Sequence, residues 1–77
     1  MGDNLTRAEV YALIDAERTR QAARWPEFRH PLEAISVLAE EVGEAAKAFN
    51  DGEGAERLRA ELVQVAAVAV KWLEGRR

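Results

Sequence analysis

No cysteine occurs in the chain, and this removes two structural devices at once, the disulfide and the thiolate zinc site. It is also compatible with a reducing compartment, and the expected location is the cytoplasm. Basic charge is not in excess. Eleven Lys and Arg stand against fourteen Asp and Glu, for a net charge of −3, and the pI is about 5.1. A surface tracking the phosphates of DNA or RNA would have to be strongly local in such a chain. Arg18, Arg20, Arg24 and Arg29 cluster only loosely, the ordinary pattern of a solvated helix face, so no nucleic-acid partner is expected. Long apolar runs are missing too. The longest, Leu62 to Val70, is interrupted by Gln64 and falls far short of the roughly 20 residues that span a bilayer. The opening MGDNLTRAEV lacks the basic-then-apolar order of a secretion signal. A soluble, non-secreted chain with no membrane partner is expected.

What is present is ordinary for a single small globular domain covering residues 1–77, with 48% hydrophobic and 32% charged residues. In so short a chain apolar burial and conformational entropy nearly cancel, and small domains are commonly supported by a disulfide, a metal or a partner subunit. With the disulfide excluded, oligomerisation is the expected support.

Apolar periodicity divides the chain into three helices. Thr6 and Glu9 form a T-x-x-E capping box that starts the first, with Leu5 and Val10 placed as its hydrophobic staple. Val10, Leu13, Ile14 and Glu17 follow helical spacing, the apolar stripe thins after Ala16, and Trp25-Pro26 ends the helix. A second helix is expected to start near His30-Pro31 and run to about Phe49. Its expected core face is Ile35, Leu38, Val42, Ala45, Ala46 and Phe49; Glu33, Ser36, Glu40 and Lys47 lie opposite. Glu41 and Glu44 belong to neither face. They share a row with Ala34, Val37 and Ala48, so they are expected to be partly buried. Residues 50–54, NDGEG, form a turn with Gly52 available for a left-handed cap. The third helix, from about Ala55 to Glu74, is apolar nearly all round in its second half and needs cover on several sides. The expected architecture is all-α. Helices two and three form a hairpin, the N-terminal helix packs outside, and homodimerisation pairs the hairpins into a four-helix bundle.

The acidic pattern is the most informative feature. Glu40, Glu41 and Glu44 recur in LAEEVGEAAKAF, and Glu61 and Gln64 in RAELVQVAAVAV, each set at three-residue spacing inside an apolar stretch. Residues three apart project from one helix face, so the two sets can meet across two helices. Stacked glutamates repel by a few tenths of a kcal/mol, which points to a cation between them. Magnesium, a hard ion bound through oxygens and often shared with substrate phosphates, suits that place; manganese is the alternative.

These residues resemble the MazG-like all-α nucleoside triphosphate pyrophosphohydrolases, whose signature is E-E-x-x-E followed after a gap by E-x-x-D. Here the first part reads Glu40-Glu41-Val42-Gly43-Glu44 and the second Glu61-Leu62-Val63-Gln64. FRHPLEAISVL before the glutamates and AAKAF after them are similar as well, and the likeness covers about residues 28 to 73. The family's last Asp is Gln64 here. The chain also stops at Arg77, so the further helix that supplies phosphate- and base-binding residues in longer members is expected to be absent.

The resemblance implies magnesium-dependent hydrolysis of a nucleoside triphosphate to monophosphate and pyrophosphate, as house-cleaning of deoxy or non-standard nucleotides. Glu41, Glu44, Glu61 and Gln64 are the implied metal ligands; Glu40 and Glu41 are the catalytic candidates, with Glu40 touching another metal or positioning water. Gln64 offers only a neutral carbonyl, so fewer negative charges face two divalent ions, and a second metal is expected only together with the nucleotide. His30, Trp25, Lys47 and Lys71 are candidates for substrate contact. Their ordinary readings are a capping histidine, a packing tryptophan and solvated lysines; that of the glutamates is surface pairing, with Arg57 or Lys71. Metal-held water needs no side-chain nucleophile, and the chain offers only Ser36, Thr6, Thr19 and Tyr11 as alcohols. The competing reading is a non-catalytic helical dimer that acts as a nucleotide-binding regulator or a protein-interaction module. The expected assembly is a dimer or a dimer of dimers.

Overall fold

The computed structural model describes residues 4–24 and 33–74, and all of its regular elements are helices: α1 (Arg7–Arg24), α2 (Glu33–Asn50) and α3 (Ala55–Glu74). None is long and apolar enough to cross a membrane. The expected start of α1 is realised. The Thr6 amide donates to Glu9 Oε1 at 2.8 Å and the Glu9 amide to Thr6 Oγ1 at 3.1 Å, the reciprocal pair of a capping box. The expected end of the first helix at Trp25-Pro26 and start of the second at His30-Pro31 lie outside the described residues.

Between α2 and α3 the chain reverses through a Schellman motif. The Glu53 amide donates to the Ala48 carbonyl at 3.0 Å and the Gly52 amide to the Phe49 carbonyl at 3.2 Å, with Gly52 at φ 65°. The hairpin is antiparallel, and Ala34 near the start of α2 packs with Val68 near the end of α3. Glu44 is six residues before the end of α2 and Glu61 six residues after the start of α3. Both stand about 9 Å from the turn at 1.5 Å rise per residue, which sets them level across the helix pair.

Helix α3 is the centre of the fold, with α2 on one side and α1 on another. Its interior is thin. Among the described residues the buried apolar ones are Ala34, Ala45, Ala48, Ala67 and Val68, so the helices meet largely through methyl groups and no large side chain among them is fully enclosed. The expected core face of α2 divides accordingly. Ala45 is buried and Leu38 half-buried against the hairpin core, whereas Ile35, Val42, Ala46 and Phe49 face outward, Phe49 with 70% of its surface exposed. The row carrying Ala34, Val37, Glu41 and Ala48 takes the inner place, because only small residues permit two helices to approach this closely. No apolar residue of α1 is buried. The helix is tied down by Arg18, whose Nη2 meets Glu74 Oε1 at 2.8 Å, and it leaves an apolar groove of about 520 Å³ against α3, lined by Leu5, Val10, Ile14 and Leu62. The radius of gyration is 13.0 Å, above the roughly 11.5 Å of a compact chain of this length, and the shortest dimension is 18 Å.

The two helix-interior and turn glycines separate in a denaturation experiment. A Cβ at Gly43 meets nothing within 4 Å, so no other described helix of this chain approaches it closely. Gly52→Ala is expected to lower stability by about 1–2 kcal/mol through its left-handed backbone. Gly43→Ala is expected to raise the stability of the hairpin by up to about 1 kcal/mol in urea melts.

Candidate metal centre

Three of the expected ligands meet. Glu41 and Glu44 from α2 and Glu61 from α3 each offer a carboxylate oxygen, and these oxygens lie within 4.8 Å of one another. The level placement of Glu44 and Glu61 and the i,i+3 spacing of Glu41 and Glu44 produce this convergence. Burial is graded through the set: Glu61 is 3% exposed, Glu41 intermediate and Glu44 open to solvent. The expected partial burial therefore holds for Glu41, while Glu44 forms the solvent side.

The cluster is under-neutralised. Arg57 Nη2 reaches Glu61 Oε2 at 2.9 Å, so the expected pairing of this glutamate with a basic residue exists, through Arg57. Glu61 Oε1 and Glu41 Oε2 are nevertheless buried with no hydrogen-bond partner. A buried carboxylate oxygen without a donor costs on the order of 1–3 kcal/mol. Burial first, then the charges of Glu44, Glu61, Glu17 and Glu40, push the Glu41 carboxyl above its ordinary value of 4.5. Three carboxylates facing one guanidinium leave two negative charges, the complement of one divalent cation. Oxygens around an octahedral magnesium at about 2.1 Å lie about 3 Å apart when adjacent and about 4.2 Å when opposite, so closing this set on the ion requires a contraction of up to about 1.8 Å.

The remaining sequence candidates lie elsewhere. Glu40 is exposed beside the cluster and acts on Glu41 through its charge. Gln64 is half-buried one turn beyond Glu61, in a cavity of about 400 Å³ that it shares with Glu17, Arg20 and Val63. Lys47 is exposed and pairs with Asp51. Lys71, a candidate for substrate contact whose ordinary reading was a solvated lysine, is buried at 6% exposure with a partner of its own; it stands ten residues beyond Glu61, about 15 Å along the helix. His30 and Trp25 lie outside the described residues.

Sequence reasoning missed the contribution of α1. Glu17 and the buried Gln21 stand on its inner side, with Gln21 Nε2 donating to Glu17 Oε2 at 3.2 Å. Arg20 grips the same carboxylate through Nε at 2.9 Å and Nη2 at 2.5 Å. That hydrogen bond, ahead of the opposing effect of burial, holds the Glu17 carboxyl below its ordinary value. The signal was present, since Glu17 continues the apolar stripe of Val10, Leu13 and Ile14, where a solvated glutamate would have no reason to be.

Comparison of the chain with family models, with curated proteins and with solved structures finds no match. The site is therefore argued from its own geometry.

Because Glu41 binds its proton more tightly folded than unfolded, its ionisation opposes folding. That penalty is full above the folded-state pKa and vanishes as pH falls below about 4.5. In metal-free buffer Glu41→Gln is expected to melt above the parent protein at pH 7, with the difference shrinking toward pH 4. An equal or lower melting temperature at pH 7 would show that the cluster carries no electrostatic strain.

Proposed function

We propose that this chain is a magnesium-dependent nucleoside triphosphate pyrophosphohydrolase working as a homo-oligomer. One observation carries the reading. Three carboxylates from two helices converge with two buried, partnerless oxygens among them, an arrangement that is unfavourable alone and satisfied by a divalent cation. Glu41, Glu44 and Glu61 would hold the cation, with the Gln64 carbonyl as a neutral fourth donor. When bound, magnesium or manganese supplies charge neutralisation of the phosphates and a lowered pKa for attacking water.

The protein's own groups account for the rest. Glu44, on the solvent side of the set, faces the direction from which a nucleotide arrives. On this reading Glu41 and Glu40 would orient the water and accept its proton. The new bond joins the water oxygen to the α-phosphorus, the α–β bridge breaks, and pyrophosphate leaves. Lys71, buried and partnered, has no place in phosphate binding on this reading, and Lys47 reaches it only by leaving Asp51.

The outer face of α2 supports the self-association in this reading. Ile35, Ala39, Val42, Ala46 and Phe49 recur at four- and three-residue steps, and all five are exposed. This is the seam pattern of a helix that packs along another helix. A second copy laying its own α2 on this seam would complete a four-helix bundle, as a dimer or a dimer of dimers. The competing non-catalytic dimer draws support from the Arg57–Glu61 ion pair, which already satisfies part of the cluster without metal.

A pyrophosphate-release screen over natural and modified triphosphates with magnesium or manganese tests the activity. Glu61→Ala and Glu44→Ala are expected to abolish release while keeping the oligomer; retained activity in Glu61→Ala would remove the metal assignment. For the seam, Val42→Glu is expected to convert the assembly to monomer in light scattering at micromolar concentration. A parent protein that is a stable monomer under the same conditions would refute the bundle.

A further inference from the structure

We infer that Arg57 of α3 is the phosphate-binding cation of the metal centre, the group that receives the polyphosphate chain of the nucleotide. This rests on the metal reading above and fills a place that Lys47, paired with Asp51, and Lys71, buried far along α3, do not take.

Arg57 stands one turn before Glu61, on the side of the hairpin tip, and its Nη2 meets Glu61 Oε2 at 2.9 Å. The pairing is one-sided. Glu61 is 3% exposed, it belongs to the set of carboxylates that converge within 4.8 Å, and its second oxygen, Oε1, is buried without a partner. An arginine serving to neutralise Glu61 alone would close on both oxygens, the bidentate geometry in which guanidinium and carboxylate pair best. Here one oxygen is left to a cation. The guanidinium in turn keeps donors to spare: the Arg57 side chain is 59% exposed, and Nε comes no closer than 3.6 Å to Glu53 Oε1, beyond hydrogen-bonding distance.

Helix energetics give no reason for an arginine at this place. Arg57 is the third residue of α3, where the positive end of the helix dipole disfavours a cation. Its order with Glu61 is also the weaker one, because an i,i+4 pair gains more when the acid precedes the base. The reason lies with the site. Arg57 donates to a carboxylate of the set, so it stands immediately beside any ion that Glu61 binds. Once a cation shares that carboxylate, the negative charge holding Arg57 is divided, and the planar fork turns to the next anion within reach, a phosphate oxygen on the same ion. Glu44 and Arg57 are both exposed members of the site, and the phosphate chain approaches from the side they share with solvent.

Two titrations on each protein test this. One follows free Mn²⁺ by electron paramagnetic resonance; the other follows inorganic tripolyphosphate, the phosphate chain without sugar or base, by calorimetry in excess magnesium. Arg57→Gln is expected to bind Mn²⁺ at least as tightly as the parent, since a positive charge leaves the neighbourhood of the ion, and to bind tripolyphosphate about tenfold or more weakly. Arg57→Lys, which keeps the charge without the fork, is expected to fall between. Loss of fold cannot imitate a variant that keeps one ligand and loses the other. Unchanged tripolyphosphate affinity in Arg57→Gln would overturn the inference, as would an equal loss of Mn²⁺ and tripolyphosphate, which would make Arg57 a support for Glu61 and nothing more. If the parent binds Mn²⁺ but no tripolyphosphate, Arg57 is excluded while the metal centre stands; if the parent binds no Mn²⁺, the metal reading falls and this inference with it.

Discussion

The structure turns on the repulsion among carboxylates that two packed helices hold together. Glu41, Glu44 and Glu61 would separate if their backbones allowed it, and the α2–α3 hairpin does not allow it. Alanine contacts at 34, 45, 48 and 67 bring the helices close, and closeness is what converts three surface-type acids into a partly buried set. The apolar burial that holds the hairpin is small, since its interior is mostly methyl groups. Fold and site thus oppose each other in the isolated chain, and on the reading proposed above a bound cation and a second copy would relieve that opposition from different sides.

Exposed apolar surface is the other half of the same account. A helix pair packed through alanines has no room for Ile35, Val42 or Phe49 between the helices, so these residues stand outside in a regular seam. Their exposure does not mean that the chain folds poorly. It follows from giving the inner row to small residues and acids, and it sets the large side chains where a second helix layer would lie. The groove between α1 and α3 repeats the theme, because α1 buries no apolar side chain and is tied to α3 by the Arg18–Glu74 ion pair.

Much of this was legible in the sequence. The capping box, the turn with its left-handed glycine and the limits of α3 were read from local chemistry, which acts within a few residues and is little altered by tertiary context. The convergence of Glu41, Glu44 and Glu61 was legible because two three-residue periods and one turn fix a hairpin register. The inner face of α2 was misread. Periodicity ranks residues by size and apolarity, and it favoured Ile35 and Phe49 over a row of alanines interrupted by glutamates. Lys71 was read as a substrate candidate with a solvated lysine as the ordinary alternative, and its burial was not legible because one helix's pattern does not tell which side its neighbours cover. Glu17 was noticed only as part of a stripe, because nothing in one helix's pattern tells which other helix its polar residue will face.

The turn at Asp51–Gly54 acts as a ruler. Helix α2 is stopped at Asn50 by the left-handed Gly52, and α3 starts at Ala55, so equal lengths of helix carry Glu44 and Glu61 back to the same level. One residue added to either arm between turn and acid would slide that acid by about 1.5 Å and rotate it by roughly 100°, out of the cleft and toward solvent. One residue added within the turn would disturb only the connection. Length variation in this chain is therefore tolerable at the exposed tip of the hairpin and ruinous a few residues away on either side, where Ala45 and Ala48 are buried and Arg57 holds the Glu61 carboxylate.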